Sequence, residues 1–247
     1  MSKKSLGQNF LIDHNIAEKI INTVPSLKEC NLIEVGPGKG FLTEYLIKKK
    51  PKKIYLIEKD KKLYENLIIK YAKNENIEIF NYDALKTKLY FEISQPKIIV
   101  SNLPYNISIK LITNWLPIIN DFVGFYLMIQ KEVAERFKYT KLDKLNRLNL
   151  LAYLLSDFKK EFNVSNNVFY PKPKVLSSFV SFKPNIKAKI DPIKFANFTR
   201  ILFFSKRKKI INNLIRNNKY KEILMHKKNL SIDISKKIED LNFKDIV

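Results

Sequence analysis

Between Asn31 and Gln130, short β-branched apolar runs alternate with segments whose apolar positions recur at helical spacing. Asn31–Val35, Lys53–Ile57, Ile77–Asn81, Lys97–Ser101 and Phe122–Gln130 are predicted strands, and Leu42–Lys49, Lys61–Lys73 and Ser108–Leu116 are predicted helices. This alternation makes successive βα units, hence a mostly parallel sheet covered on both faces. Ahead of the first strand, Asp13 is placed to cap a helix whose apolar face is Ile16, Ile20, Ile21 and Val24.

After Lys131 the pattern changes. Two helical stretches, Lys131–Phe137 and Leu145–Leu155, lead to strand-like Glu161–Val164 and Val175–Lys183, which are expected to pair antiparallel at one edge and bring the sheet to seven strands. From about Pro184 the chain is lysine-rich and helical in period. The division predicted is an α/β domain over residues 1–183 and a small basic helical domain over residues 184–247.

The chain has 247 residues, 45% hydrophobic and 28% charged, with only 5 Gly and 10 Pro, which excludes a disordered or fibrous protein. Its one cysteine, Cys30, excludes an internal disulfide framework and a zinc site built on two thiolates. It also fits a reducing compartment. The two histidines, His14 and His226, have no partner in sequence, and no metal is expected. Met1 to Phe10 lacks signal-peptide and presequence features. The longest apolar region, Leu111 to Ile129, is broken by Asn114, Pro117, Asn120 and Asp121. No membrane span is therefore expected, and the cytoplasm is the expected address.

Lys and Arg number 46 against 24 Asp and Glu, a net charge of +22. Such a surplus on a folded chain points to a polyanion, either nucleic acid or an anionic membrane surface. AT-biased coding accounts for lysine over arginine but not for lysine so far above carboxylate, so nucleic acid is the favoured partner. Residues 183–247 carry 17 basic and 6 acidic side chains, half of the surplus in about a quarter of the chain. That density suits a backbone of phosphates.

The first predicted strand runs into Gly36-Pro37-Gly38-Lys39-Gly40 and then a helix, a loop in which glycines let the backbone turn tightly and approach a nucleotide. A dinucleotide fold wants a third small residue at position 41, which is Phe41, so NAD is disfavoured. Glu34, just before the loop, suits the amino-acid end of S-adenosylmethionine. Glu58 ends the second strand, where a carboxylate can accept both hydroxyls of a ribose, and Asp83 follows the third, where it could accept an adenine amine. The fourth strand ends in Ser101-Asn102-Leu103-Pro104-Tyr105-Asn106. Besides a turn, this run offers the Asn102 side-chain carbonyl and the Leu103 backbone carbonyl as acceptors for both protons of an exocyclic amine, and Tyr105 as an aromatic face for the base. Two such acceptors would orient the nitrogen lone pair and stabilise its growing positive charge.

With these motifs the chain closely resembles the small-subunit ribosomal RNA adenine N6,N6-dimethyltransferases, the kasugamycin-sensitivity type. The resemblance runs from Gly7-Gln8-Asn9-Phe10-Leu11 through Glu34-Val35-Gly36-Pro37-Gly38 and Asn102-Leu103-Pro104-Tyr105-Asn106 to Pro171-Lys172-Pro173-Lys174-Val175. It implies a Rossmann-like S-adenosylmethionine-dependent methyltransferase fold with a small helical carboxyl-terminal domain. It implies transfer of methyl groups to N6 of two adjacent adenosines in the 3′-terminal hairpin loop of 16S rRNA, within an immature small subunit during ribosome biogenesis, by a monomer. By matching positions, Asn9, Leu11, Glu34, Gly36, Gly38, Gly40, Glu58, Asp83 and Asn102 would surround the cofactor. Asn102, Leu103, Pro104 and Tyr105 would form the catalytic strand end, with Phe169 stacking on the target base opposite Tyr105. Phe204-Ser205-Lys206-Arg207-Lys208-Lys209 resembles the basic segment that opens the family's last domain. Lys144-Leu145-Asn146-Arg147 departs from it, standing where the family usually has a Tyr-Gly pair. The competing readings are a macrolide-resistance type methyltransferase of large-subunit rRNA, which Gly36-Pro37-Gly38 and Asn102-Leu103-Pro104 disfavour, and a non-catalytic ribosome-assembly factor on the same fold.

Overall fold

A computed structural model describes residues 9–139, 144–187, 189–205, 207–216 and 233–241. Gly7, Gln8, Lys206 and His226 lie outside the described residues. The chain begins with β1 (Phe10–Leu11) and α1 (His14–Thr23), continues as β2 (Asn31–Val35), α2 (Phe41–Lys48), β3 (Lys53–Ile57), α3 (Lys61–Tyr71) and β4 (Ile77–Phe80), and then forms α4 (Leu89–Glu92), β5 (Lys97–Asn102) and α5 (Tyr105–Trp115). After a 3₁₀ turn come β6 (Phe122–Gln130), α6 (Lys131–Phe137), α7 (Arg147–Leu155), β7 (Ser156–Val164), β8 (Phe169–Tyr170) and β9 (Ser177–Pro184), and finally α8 (Pro192–Leu202) and α9 (Ile210–Ile215).

Seven strands make one sheet in the order β4-β3-β2-β5-β6-β9-β7. β4, β3, β2, β5 and β6 are parallel, and β9 runs antiparallel to both β6 and β7. The parallel strands are covered on both faces because alternate residues feed different cores. Ile33, Ile99, Phe125, Leu127 and Ile129 join α5, α6 and α7 through Leu111, Val133 and Leu151. Their neighbours Leu32, Ile98, Val100, Tyr126 and Met128 join α1, α2 and α3 through Ile20, Leu46 and Leu67. The period-two geometry of a strand thus produces a three-layer α/β sandwich.

The Asp13 carboxylate caps α1 by accepting the Ile16 N–H at 2.9 Å, as its position before the periodic run predicts. β7 starts at Ser156, five residues earlier than expected. It is an edge strand paired to β9 alone, in which Phe158 and Phe162 pack on the cores while Lys159 and Lys160 lie between them, and that charge hides it from an apolar-run criterion. Where the family's Tyr-Gly pair is missing, Asn146 caps α7. Its side chain accepts from Leu148 N and Asn149 N at 2.8 and 3.1 Å, and Asn149 Oδ1 accepts the Asn146 N–H at 2.8 Å. α7 is apolar all round because Leu148, Leu151 and Leu155 face the sheet while Leu150 and Leu154 pack against Leu202, Ile210, Leu214, Ile238 and Leu241. Among the described residues no helix is long and apolar enough to cross a membrane.

Candidate active site

The carboxyl ends of β2, β3 and β5 and the loop after β4 open onto one cavity of about 340 Å³. Its lining includes Asn9, Leu11, Glu34, Gly36, Gly38, Glu58, Asp83, Asn102, Leu103, Pro104 and Tyr105. Glu34, Glu58 and Asn102 meet here because parallel strands all point the same way, and open α/β sheets bind ligands at these ends. Asn9, 93 residues before Asn102, is brought in by the segment leading into β1.

The glycine loop is held from several sides. Gly36, Gly38 and Gly40 have φ of 68, 61 and 76°, in the left-handed region. A Cβ on Gly38 would stand 2.7 Å from the Phe10 ring, so β1 closes over the loop where only glycine leaves room. Gly40 lies behind the cavity wall as the N-cap of α2, where the Tyr71 hydroxyl donates to its carbonyl at 3.0 Å. Lys70 donates to the Lys39 carbonyl at 3.1 Å and pairs with Glu44 at 2.5 Å. α3 therefore braces the turn, a role with no linear signal because it needs the fold to bring position 71 to position 40.

The three acids differ in their surroundings. Glu58, 5% exposed, accepts the Gly38 N–H at 3.1 Å with one oxygen and the Asp60 N–H at 2.8 Å with the other. Burial pushes its carboxyl above the ordinary range, against the two N–H bonds. Glu34, 2% exposed, accepts from the Thr43 hydroxyl at 2.6 Å, and burial pushes it up to about 8. Burial alone would raise Asp83 as well. The Leu85 N–H at 3.0 Å and the Lys59 ammonium at 3.0 Å outweigh that and hold it below the usual carboxylate value.

At the β5 end, the Asn102 amide nitrogen donates to the Asn9 carbonyl at 3.0 Å, which fixes the side chain with its acceptor end available to the chemistry an amine needs. The Leu103 N–H donates to the Met128 carbonyl at 3.1 Å, and Pro104 N-caps α5. Tyr105 opens that helix, lines the cavity and hydrogen-bonds the Ser177 hydroxyl. β1 pairs with β8 through Phe10 with Tyr170 and Leu11 with Phe169, and the two faces of that short ladder divide its aromatics. Phe169, 2% exposed, belongs to the core beneath β1, while Tyr170, 67% exposed, lines the cavity. Alternation along a strand carries a signal for this split. Its two-residue length hides the alternation. His14 is exposed and meets Tyr45, a partner brought to it by the fold, through a hydrogen bond.

A model of the family described as ribosomal RNA adenine dimethylase matches residues 1–247. The chain belongs to that family. As a ribosomal RNA adenine dimethylase it is an S-adenosylmethionine-dependent enzyme acting on ribosomal RNA. It is similar to proteins named ribosomal RNA small subunit methyltransferase A. The one from Wolbachia pipientis subsp. Culex pipiens is 38% identical over 86% of this chain and 82% of its own length. The one from Mycoplasmopsis synoviae is 36% identical over 100% of this chain and 95% of its own length. Among solved structures, a dimethyladenosine transferase from Plasmodium falciparum superposes with a TM-score of 0.69 at 29% identity, covering 88% of this chain and 78% of its own. The 23S rRNA methyltransferase ErmE gives a TM-score of 0.66 at 21% identity, covering 94% of the dimethylase and 93% of its own chain, a likeness of fold. The Rossmann-like architecture of the dimethylase is thus shared with both solved structures.

Proposed function

We propose that the enzyme dimethylates N6 of two adjacent adenosines in the 3′-terminal hairpin loop of 16S rRNA, acting as a cytoplasmic monomer on an immature small subunit. The observation that carries this reading is the shared cavity: Asn102, Leu103, Pro104 and Tyr105 line the same space as Gly38, Glu58 and Asp83. The residues suit the cofactor, since carboxylates ring a cavity whose other walls include Phe10, Leu11 and Leu85. Glu58 would hold the ribose hydroxyls, Asp83 the adenine amine, and Glu34 the amino-acid end, with Asn9 and Leu11 closing over Gly36 and Gly38. When bound, S-adenosylmethionine supplies an electrophilic methyl group.

The strand end does the rest. The Asn102 side-chain carbonyl and the Leu103 backbone carbonyl accept the two hydrogens of the target amine. The nitrogen lone pair then faces the methyl group, and the charge that grows on nitrogen is stabilised by preorganised dipoles. Tyr105 supplies the stacking face for an adenine taken out of its stack, which a hairpin loop yields at lower cost than a duplex. Tyr170, which lines the cavity, forms the opposite side; Phe169, expected to stack there, is packed in the core instead. The basic helical part after Pro184 is read as a second, phosphate-binding domain, consistent with exposed Arg207, Lys208 and Lys209.

Incubation with labelled S-adenosylmethionine and, separately, unmodified small and large subunits should label adjacent adenosines of the small subunit alone. In single turnover from a preformed complex, Asn102→Ala should slow methylation on the order of 10²-fold with RNA affinity retained. A wild-type rate in that variant, or labelling confined to large subunits, would sink the reading.

A further inference from the structure

Ser177 is the first residue of β9, opposite Gln130 of β6 and Val164 of β7, and it is fully buried. It lies behind the cavity rather than in its lining, yet its hydroxyl is hydrogen-bonded to the phenol oxygen of Tyr105, which is in the lining. Tyr105 is thereby fixed at both ends. Its backbone is the first turn of α5, set by Pro104, and its far end is tied to the last strand added to the sheet. A phenol without that tie can rock about its side-chain torsions. A tied one presents a fixed ring face.

The chemistry makes that face matter unequally in the two transfers. In each transfer the amine nitrogen forms a bond to the methyl carbon as the sulfur–carbon bond of S-adenosylmethionine breaks, leaving S-adenosylhomocysteine, and the methylated amine releases one proton to solvent water. Before the first transfer the amine has two hydrogens for the two acceptors at Asn102 and Leu103. Before the second it has one hydrogen and a methyl group, so one acceptor no longer orients it. Placement then depends more on stacking.

We propose that Ser177 is a positioning residue which, by anchoring the Tyr105 hydroxyl, holds the base platform for the second methyl transfer. The inference rests on the reading of Tyr105 as that platform. Burial pushes the Tyr105 phenol above its ordinary value, so the hydroxyl keeps its proton and the tie persists through the neutral range.

Ser177→Ala, Tyr105→Phe and the double variant, each given S-adenosylmethionine and unmodified small subunits in single turnover, test this by mass spectrometry of the digested nucleosides. In all three the second addition should slow about fivefold relative to the first, the kinetic equivalent of one ordinary hydrogen bond, so that monomethyladenosine accumulates. The double variant separates positioning from mere stability. With both partners removed no buried hydroxyl is left unpaired, so its thermal midpoint should return toward wild type while its excess of monomethyladenosine stays. A double variant with the wild-type product ratio would reduce the bond to a structural tie and overturn the proposal, as would an unchanged second addition in Ser177→Ala. Tyr105→Ala distinguishes the underlying reading. If it leaves both additions at wild-type rate, Tyr105 is no platform and both readings fall. If it slows both while Ser177→Ala keeps the wild-type ratio, the anchoring role alone falls.

Discussion

The Phe10 ring crosses Gly38 so closely that its Cε1 stands 2.7 Å from where a Cβ on that glycine would be. The cover of the cavity and the floor of the glycine loop are therefore fitted to each other. Gly38→Ala has two faults, a left-handed φ of 61° and a collision with Phe10. It should weaken S-adenosylmethionine binding at least about tenfold and destabilise the fold by about 1–3 kcal/mol. Calorimetric titration and thermal melting check both. Gly38→Ala with wild-type affinity would mean that β1 does not close over the bound cofactor.

Glu58 is a strand-end carboxylate in sequence, a type that normally carries little packing. The structure buries it and makes it the acceptor for the N–H groups of Gly38 and Asp60. Glu58→Ala should then cost both cofactor affinity and stability, about 1–3 kcal/mol of the latter because buried donors lose their partner. Glu58→Gln, which keeps the shape and one acceptor, should recover much of the stability but not the affinity. Melting curves of the three proteins with and without cofactor decide this.

Glu34 provides a pH dependence of definite sign. Its folded carboxyl titrates at about 8 against an ordinary 4.5, so the folded state binds a proton that the unfolded state has released. The stability this contributes is fully present below pH 4.5 and is lost as pH rises toward 8. Denaturant titrations between pH 5 and 9 should find wild type losing stability relative to Glu34→Gln as pH rises. A constant difference would contradict the proton being held. If the cofactor's ammonium lies beside Glu34, binding near pH 7 should also release a proton, visible as a heat that varies with the buffer's ionisation enthalpy.

Arg207, Lys208 and Lys209 are exposed just after α8. Neutralising all three should lower the log–log salt slope of RNA binding by up to about three units, roughly one for each phosphate that no longer meets a cation. Filter binding over a range of salt measures it. An unchanged slope would leave these charges as a solvated face.

The parallel half was legible in sequence because each strand is a short apolar run and each helix is amphipathic, as β2, β3, β6 and α6 illustrate, all found at their expected bounds. The cavity was legible for the same reason: Glu34, Glu58, Asp83 and Asn102 stand at strand ends, and parallel strands gather their ends. What escaped was whatever depends on partners far apart in sequence. Tyr71 under Gly40, Thr43 on Glu34 and Ser177 behind Tyr105 are ordinary residues until the fold brings them to their partners. β1 and β8 escaped because two residues carry no period, and the first half of β7 because an edge strand tolerates lysine.

The order of the last strands bears on how the chain is made. β7 is synthesised before β9 but touches the sheet only through it. A chain that has left the ribosome as far as Val164 has nothing to pair β7 with, and its sheet ends at β6, whose Phe125, Leu127 and Ile129 alternate with Tyr126 and Met128 along an open edge. Nascent or prematurely terminated chains of this length present an apolar edge of the kind that pairs with other chains. Twenty further residues, through Pro184, are what seal it.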